Sequence, residues 1–192
     1  IGGESTRPGS EPVTADEELR RVISVIENLR PKLDVPISID TSKAEVARAA
    51  IEAGASIVND ITGGRGDEQM LPLVAATKSA FIIMHMQGIP RTMQVQPRYK
   101  DVVTEISKFF RQQYACAIGL NIDPMAIAFD PGVGFGKTVE HNLELLAHFE
   151  RLRAHDRRDR GHRRRGPFAP ARHPLPARFG DRIEGKRLAH GG

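Results

Sequence analysis

The stretch from Pro36 to Asp60, PISIDTSKAEVARAAIEAGASIVND, spells a strand, a helix and a second strand in succession. Its two ends, Pro36–Asp40 and Ser56–Asp60, are apolar at nearly every inner position, as strands buried on both faces require. Between them Val46, Ala50 and Ile51 form one helical stripe that stops at Gly54, and Ser42 precedes Glu45 at the spacing of a capping box. A strand–helix–strand unit of this length predicts parallel pairing.

Working outward, the rhythm continues. Ala80–His85 (AFIIMH) and Ala126–Asp130 (AIAFD) read as two further strands. Thr14, three residues before Glu17, opens a helix whose stripe is Leu19, Val22, Ile23 and Ile26 and which ends before Pro31. Further helical patterns run through Met70, Leu71 and Val74, then Val102, Ile106, Phe109 and Phe110 up to Gly119, then Leu143, Leu146 and Phe149. Met86–Lys100 is the one long loop. Every strand closes on polar residues: Asp40-Thr41, Asn59-Asp60, His85 and Asp130. In parallel α/β folds ligands bind at that edge, although any one of these groups alone would serve equally well as a cap.

The chain has 192 residues, 40% of them apolar, enough for one sizeable core. It opens on Ile1 with no signal-peptide pattern, which reads as a cut end. No run is long enough to span a bilayer, and the lone Cys116 cannot form an internal disulfide, so a reducing cytoplasm is the expected compartment. The net charge of +4 is unevenly spread: residues 151–192 hold 13 Lys+Arg against 4 Asp+Glu, leaving residues 1–150 acidic. Those last 42 residues contain 12 Arg, 6 Gly, 4 Pro and 4 His but only four of Ile, Leu and Val. The expectation is a globular portion at 1–150 and a disordered basic tail at 151–192. The tail is open to three readings, an abnormal end, a solvated natural tail or a nucleic-acid-binding arm, the last unsupported by interleaved aromatics.

Three segments carry chemistry. IGGESTRPG (1–9) is a small-residue loop presenting Thr6 and Arg7, readable equally as a turn with one exposed cation. MHMQGIPRTMQ (84–94) follows a buried strand. FDPGVGFGKT (129–138) exposes backbone beside Asp130; the spacing before Gly136 misses the nucleotide P-loop by one residue, and the dinucleotide fingerprint fails too.

Together IGGESTRPG, PISIDT, SIVNDITGG, IIMHMQGIPRTMQ and FDPGVGFGKTVEHNLELL, in this order, resemble the dihydropteroate synthases over about Ile1 to Glu150. The resemblance implies an α/β fold, a partial (β/α)8 TIM barrel of about strands 2–6 with ligands at its C-terminal mouth. It implies condensation of 6-hydroxymethyl-7,8-dihydropterin diphosphate with p-aminobenzoate to give 7,8-dihydropteroate and pyrophosphate, with magnesium carried on the diphosphate, in a cytoplasmic homodimer. By motif position Asp40, Asn59, Ile61, Met84 and Asp130 would bind the pterin. Thr6, Arg7, Pro8 and Phe135 would bind the diphosphate or the aminobenzoate, with Thr6, Arg7 and Asp130 as the catalytic set. The family's first-strand Asn, which helps hold magnesium, and its later Lys, Ser-Arg and Arg-x-His elements find no match. An isolated chain lacking them is expected to be poorly stable and weakly active, with exposed strand edges. Two other readings compete, a non-catalytic pterin-binding module and a pterin-dependent corrinoid methyltransferase domain. STRPG and MHMQGxPxTM argue against the second.

Overall fold

The computed structural model describes residues 1–152, so everything expected of the basic tail beyond them lies outside the described residues. Four short strands, β1 (Ser38–Asp40), β2 (Ile57–Asp60), β3 (Ala80–Met84) and β4 (Ile127–Asp130), form one parallel sheet in the order β1-β2-β3-β4. Each lies where the sequence placed it, trimmed by one or two residues. Pro36, lacking an N–H, falls outside β1. The chain start adds a feature that the loop reading of residues 1–9 did not contain: Gly2 bridges in parallel to Asp40, and Ile1 O accepts from Asp40 N at 2.7 Å. The chain order is that of β/α units followed one after another, as in part of a (β/α)8 barrel.

The helices α1 (Ala15–Leu29), α2 (Ala44–Ala53), α3 (Met70–Thr77), α4 (Val102–Gly119) and α5 (Val139–Ala147) follow the expected boundaries closely. Thr14 caps α1 by accepting from Glu17 N, while the Glu17 carboxylate pairs with Arg20 and Arg21 instead of reaching back. The cap expected from Ser42 is not made. Asp67, on the following β/α connection, accepts from Ala44 N at 2.8 Å, and Thr41 Oγ1 accepts from Lys43 N. A carboxylate at the positive end of a helix is the stronger acceptor, so a distant Asp displaces the local Ser.

One apolar cluster holds these layers together: Ile39, Val58, Phe81 and Ile83 from the strands with Val22, Ile26, Val46, Ala50, Val74, Ile106 and Phe110 from the helices. The stripe expected on α5 fails. Leu143, Leu146 and Phe149 are exposed, and Leu145 is the buried residue of that helix. The buried face thus lies elsewhere on the helix, where Leu145 joins the main core.

Candidate functional site

Strand alternation decides which side chains share a surface. The register pairs Asp40 with Asn59, Asn59 with Ile82, and Met84 with Asp130. Because successive residues point to opposite faces, Asp40, Asn59, Ile82, Met84 and Asp130 all belong to one face, while Ile39, Val58, Phe81 and Ile83 belong to the other. Asp130 stands one pleat repeat further toward the C-terminal edge than the Asp40–Asn59 row.

On this face Asn59 Nδ2 donates to Asp40 Oδ1 at 3.2 Å, and burial pushes the Asp40 carboxyl above its usual range. Asp130 is half-buried; its Oδ1 accepts from Gly132 N at 2.8 Å, and its second oxygen has no partner among the described residues. Beside them lies a separate apolar cluster of Ile61, Met84, Met86 and Met93, against which Phe135 packs. The structure therefore gathers Asp40, Asn59, Met84 and Asp130 on one face, and joins Ile61 and Phe135 to Met84. Polar acceptors and an apolar wall are the elements from which small-molecule sites are built.

Thr6, Arg7 and Pro8 sit on the loop that leaves the Gly2 bridge. Arg7 and Pro8 are exposed. Gly9 N donates to Pro90 O at 3.3 Å, and Arg91 lies 3.6 Å from Glu11, so the loop leans on the Met86–Lys100 connection that also supplies Met86 and Met93. No bond joins Thr6 or Arg7 to the three polar strand ends.

The remaining polar strand ends do structural work. Asp60 is fully buried on the opposite face and accepts from Thr62 N and Gly64 N, each at 2.8 Å, so it shapes the turn after β2; burial raises its pKa. His85 packs edge-on against Phe109, and burial, with Lys137 and Arg65 nearby, lowers its pKa to about 3. It is a neutral ring in the folded protein.

Lys137 is the residue that sequence reasoning passed over. Its buried ammonium donates to Gly132 O (2.9 Å), Phe135 O (2.8 Å) and His85 O (3.2 Å) and lies 3.2 Å from His85 Nδ1. Desolvation brings its pKa down to about 8. It thus ties the glycine turn carrying Asp130 and Phe135 to the end of β3. The signal was present as Gly136-Lys137, weighed only as part of a phosphate loop. Among the described residues no three His, Cys, Asp or Glu side chains converge to hold a metal ion.

Residues 1–159 match the model of a family described as pterin binding enzyme. The chain is 47% identical over 153 residues to a dihydropteroate synthase of Synechocystis, covering 80% of this chain and 53% of that one. Among solved structures, a Xanthomonas albilineans dihydropteroate synthase with 4-aminobenzoic acid superposes with a TM-score of 0.74 at 45% identity, over 79% of this chain and 53% of the other. The same organism's enzyme in complex with 7,8-dihydropteroate gives 0.69 at 41% identity, over 76% and 52%. The chain spans about half the length of the relatives it matches. With the acid–amide face, the Met-lined wall and the match across all its described residues, the chain belongs to the family of pterin-binding enzymes.

Proposed function

We propose that this chain carries the pterin-recognition half of a dihydropteroate synthase, condensing 6-hydroxymethyl-7,8-dihydropterin diphosphate with p-aminobenzoate to give 7,8-dihydropteroate and pyrophosphate. The observation that carries the reading is the placement of Asp40, Asn59 and Asp130 on one face beside the Met84 cluster. A pterin offers an amino group and a ring N–H side by side, a donor pair suited to one carboxylate. Asp130, with an oxygen left over, is the acceptor; Asp40 and Asn59 complete the polar edge, with Ile61 and Met84 against the ring. Buried polar groups of this kind reject analogues that leave them unpaired. Relatives solved with 4-aminobenzoic acid and with 7,8-dihydropteroate support this substrate pair.

No described residue forms a nucleophile with a paired base. In this reading the bond between the pterin methylene carbon and diphosphate oxygen breaks, the aniline nitrogen attacks the methylene, and its proton leaves. The chain's part is to orient the two rings, with Arg7 and Thr6 on the diphosphate or the aminobenzoate carboxylate and Phe135 against the aminobenzoate ring. Magnesium would travel with the diphosphate, and no step here depends on it. The homodimer and the cytoplasmic setting belong to the same proposal; among the described residues no helix is long and apolar enough to cross a membrane, and Cys116 is a free, exposed thiol.

Titration calorimetry of the chain with the pterin diphosphate, then with p-aminobenzoate plus pyrophosphate, tests this. Binding of both supports the synthase reading. Binding of the pterin alone would favour the non-catalytic module, and binding of neither would end both.

A further inference from the structure

Lys43 stands at the amino end of α2, where the helix dipole disfavours a cation, and its side chain makes no cap bond. Its ammonium lies instead between two carboxylates, 2.6 Å from Glu4 Oε2 and 2.7 Å from Glu18 Oε2. Burial alone would depress the Lys43 pKa, but Glu18 and then Glu4 hold it above its ordinary value. Glu18 is fully buried on α1, and among the described residues its Oε1 is the one buried side-chain oxygen or nitrogen without a partner. Among the described residues Lys43 is the one cation in an ion pair with that carboxylate, and it cannot leave without stranding a buried charge. It is a fixed post.

Glu4 connects that post to a loop. Its Oε1 accepts from Val13 N at 3.0 Å while its Oε2 accepts from Lys43 Nζ at 2.6 Å, so one carboxylate joins both ends of the segment 5–12. Gly3, immediately before it, is held as well. Arg21 donates to its carbonyl at 2.8 Å, and a Cβ there would lie 2.8 Å from Glu18 Cγ and 2.9 Å from Val22 Cγ1. Within the segment the ties are few: Ser10 N to Arg7 O, Ser10 Oγ to Ser5 O, and a 3.4 Å bond from Arg7 N to Ser5 Oγ. Fixing both ends of a loop lowers the entropy lost when its tip is ordered on a ligand.

We infer that Glu4, held by Lys43, is a positioning residue that closes the base of the Thr6–Pro8 loop and so presents Thr6 and Arg7 to the anionic part of the second substrate. The inference rests on the function proposed above. The Glu4 carboxylate bonds to Val13 and Lys43 and to none of Asp40, Asn59 and Asp130.

The test is Glu4→Ala, with Glu4→Gln as the conservative companion that can keep the Val13 bond while losing the Lys43 pairing. Hydrogen exchange by NMR should show the Val13 amide and segment 5–12 exchanging faster in Glu4→Ala, with α2 and the sheet unchanged. Affinity for p-aminobenzoate in the presence of pyrophosphate should fall about tenfold, equivalent to about 1.4 kcal/mol, while pterin affinity changes by less than about twofold. Glu4→Gln should fall between the two. Unaltered exchange at Val13 in Glu4→Ala would overturn the clamp, as would equal weakening of both ligands with faster exchange throughout the chain. If the unsubstituted chain fails to bind p-aminobenzoate, the proposed function falls, while exchange at Val13 still decides whether Glu4 closes the loop.

Discussion

Replacing Lys137 by Met removes one buried ammonium and keeps most of its volume. Three carbonyls, those of His85, Gly132 and Phe135, lose a charged donor. At about 2 kcal/mol for each hydrogen bond to a charged group, the gross loss is about 6 kcal/mol. Part is offset, because the ammonium is itself costly to bury: a pKa brought from 10.5 to about 8 corresponds to about 3 kcal/mol returned when the charge is removed. The net expectation is destabilisation by about 3 kcal/mol, read as a lower midpoint in urea with unchanged slope. A second readout is specific to the geometry. Lys137 helps hold the His85 pKa down, so in Lys137→Met the His85 ring should titrate above its present value of about 3, as followed by NMR of the ring protons. Unchanged stability together with an unchanged His85 titration would refute the tie between the glycine turn and β3.

Three further outcomes follow from the same geometry. Asp130→Asn should leave the fold intact, since the amide oxygen can keep the Gly132 N–H; the NH2 then faces the ligand's donors, and pterin affinity measured by calorimetry should fall by about 3 kcal/mol, roughly a hundredfold. Gly132→Ala should cost about 2–4 kcal/mol in thermal unfolding, because Gly132 has φ +65° and a Cβ would lie 2.1 Å from His85 O; Gly134→Ala, at φ +87° but in open space, should cost only about 1 kcal/mol. Acid should act through His85. Its folded pKa is depressed, so its contribution is fully present above about pH 6.5 and is lost as pH falls toward 3, with a slope of at most about 1.4 kcal/mol per pH unit. The raised pKa values of Asp40 and Asp60 act in the opposite sense: their contribution is fully present below about pH 4 and is lost as pH rises through their raised folded values. Between about 4 and 6.5 they therefore oppose the His85 slope, which the difference between the chain and a His85 variant isolates. His85→Gln should remove the rise of stability with pH that His85 contributes there.

Much of this was legible beforehand because it depends on local pattern. Four apolar runs became four parallel strands, and Asp40, Asn59 and Asp130 share a face because strand alternation and register place them there. What the sequence hid depends on partners far along the chain. Asp67 caps α2 in place of Ser42, 23 residues from the amide it accepts. Lys137 reaches His85 across 52 residues, and Lys43 joins Glu4 across 39. Periodicity also misled around α5, where Leu143, Leu146 and, just beyond the helix, Phe149 are exposed and Leu145 turns in. Hydrophobic spacing marks a stripe without saying which surface will cover it.

The most direct measurement is NMR of the side chains themselves: Asp40 and Asp130 carboxyl carbons and the Asn59 amide, followed as 6-hydroxymethyl-7,8-dihydropterin is added to the chain. All three signals should move and saturate at the same ligand concentration. Movement of only one, or of none while the pterin binds elsewhere, would contradict a shared pterin site on this face of the sheet.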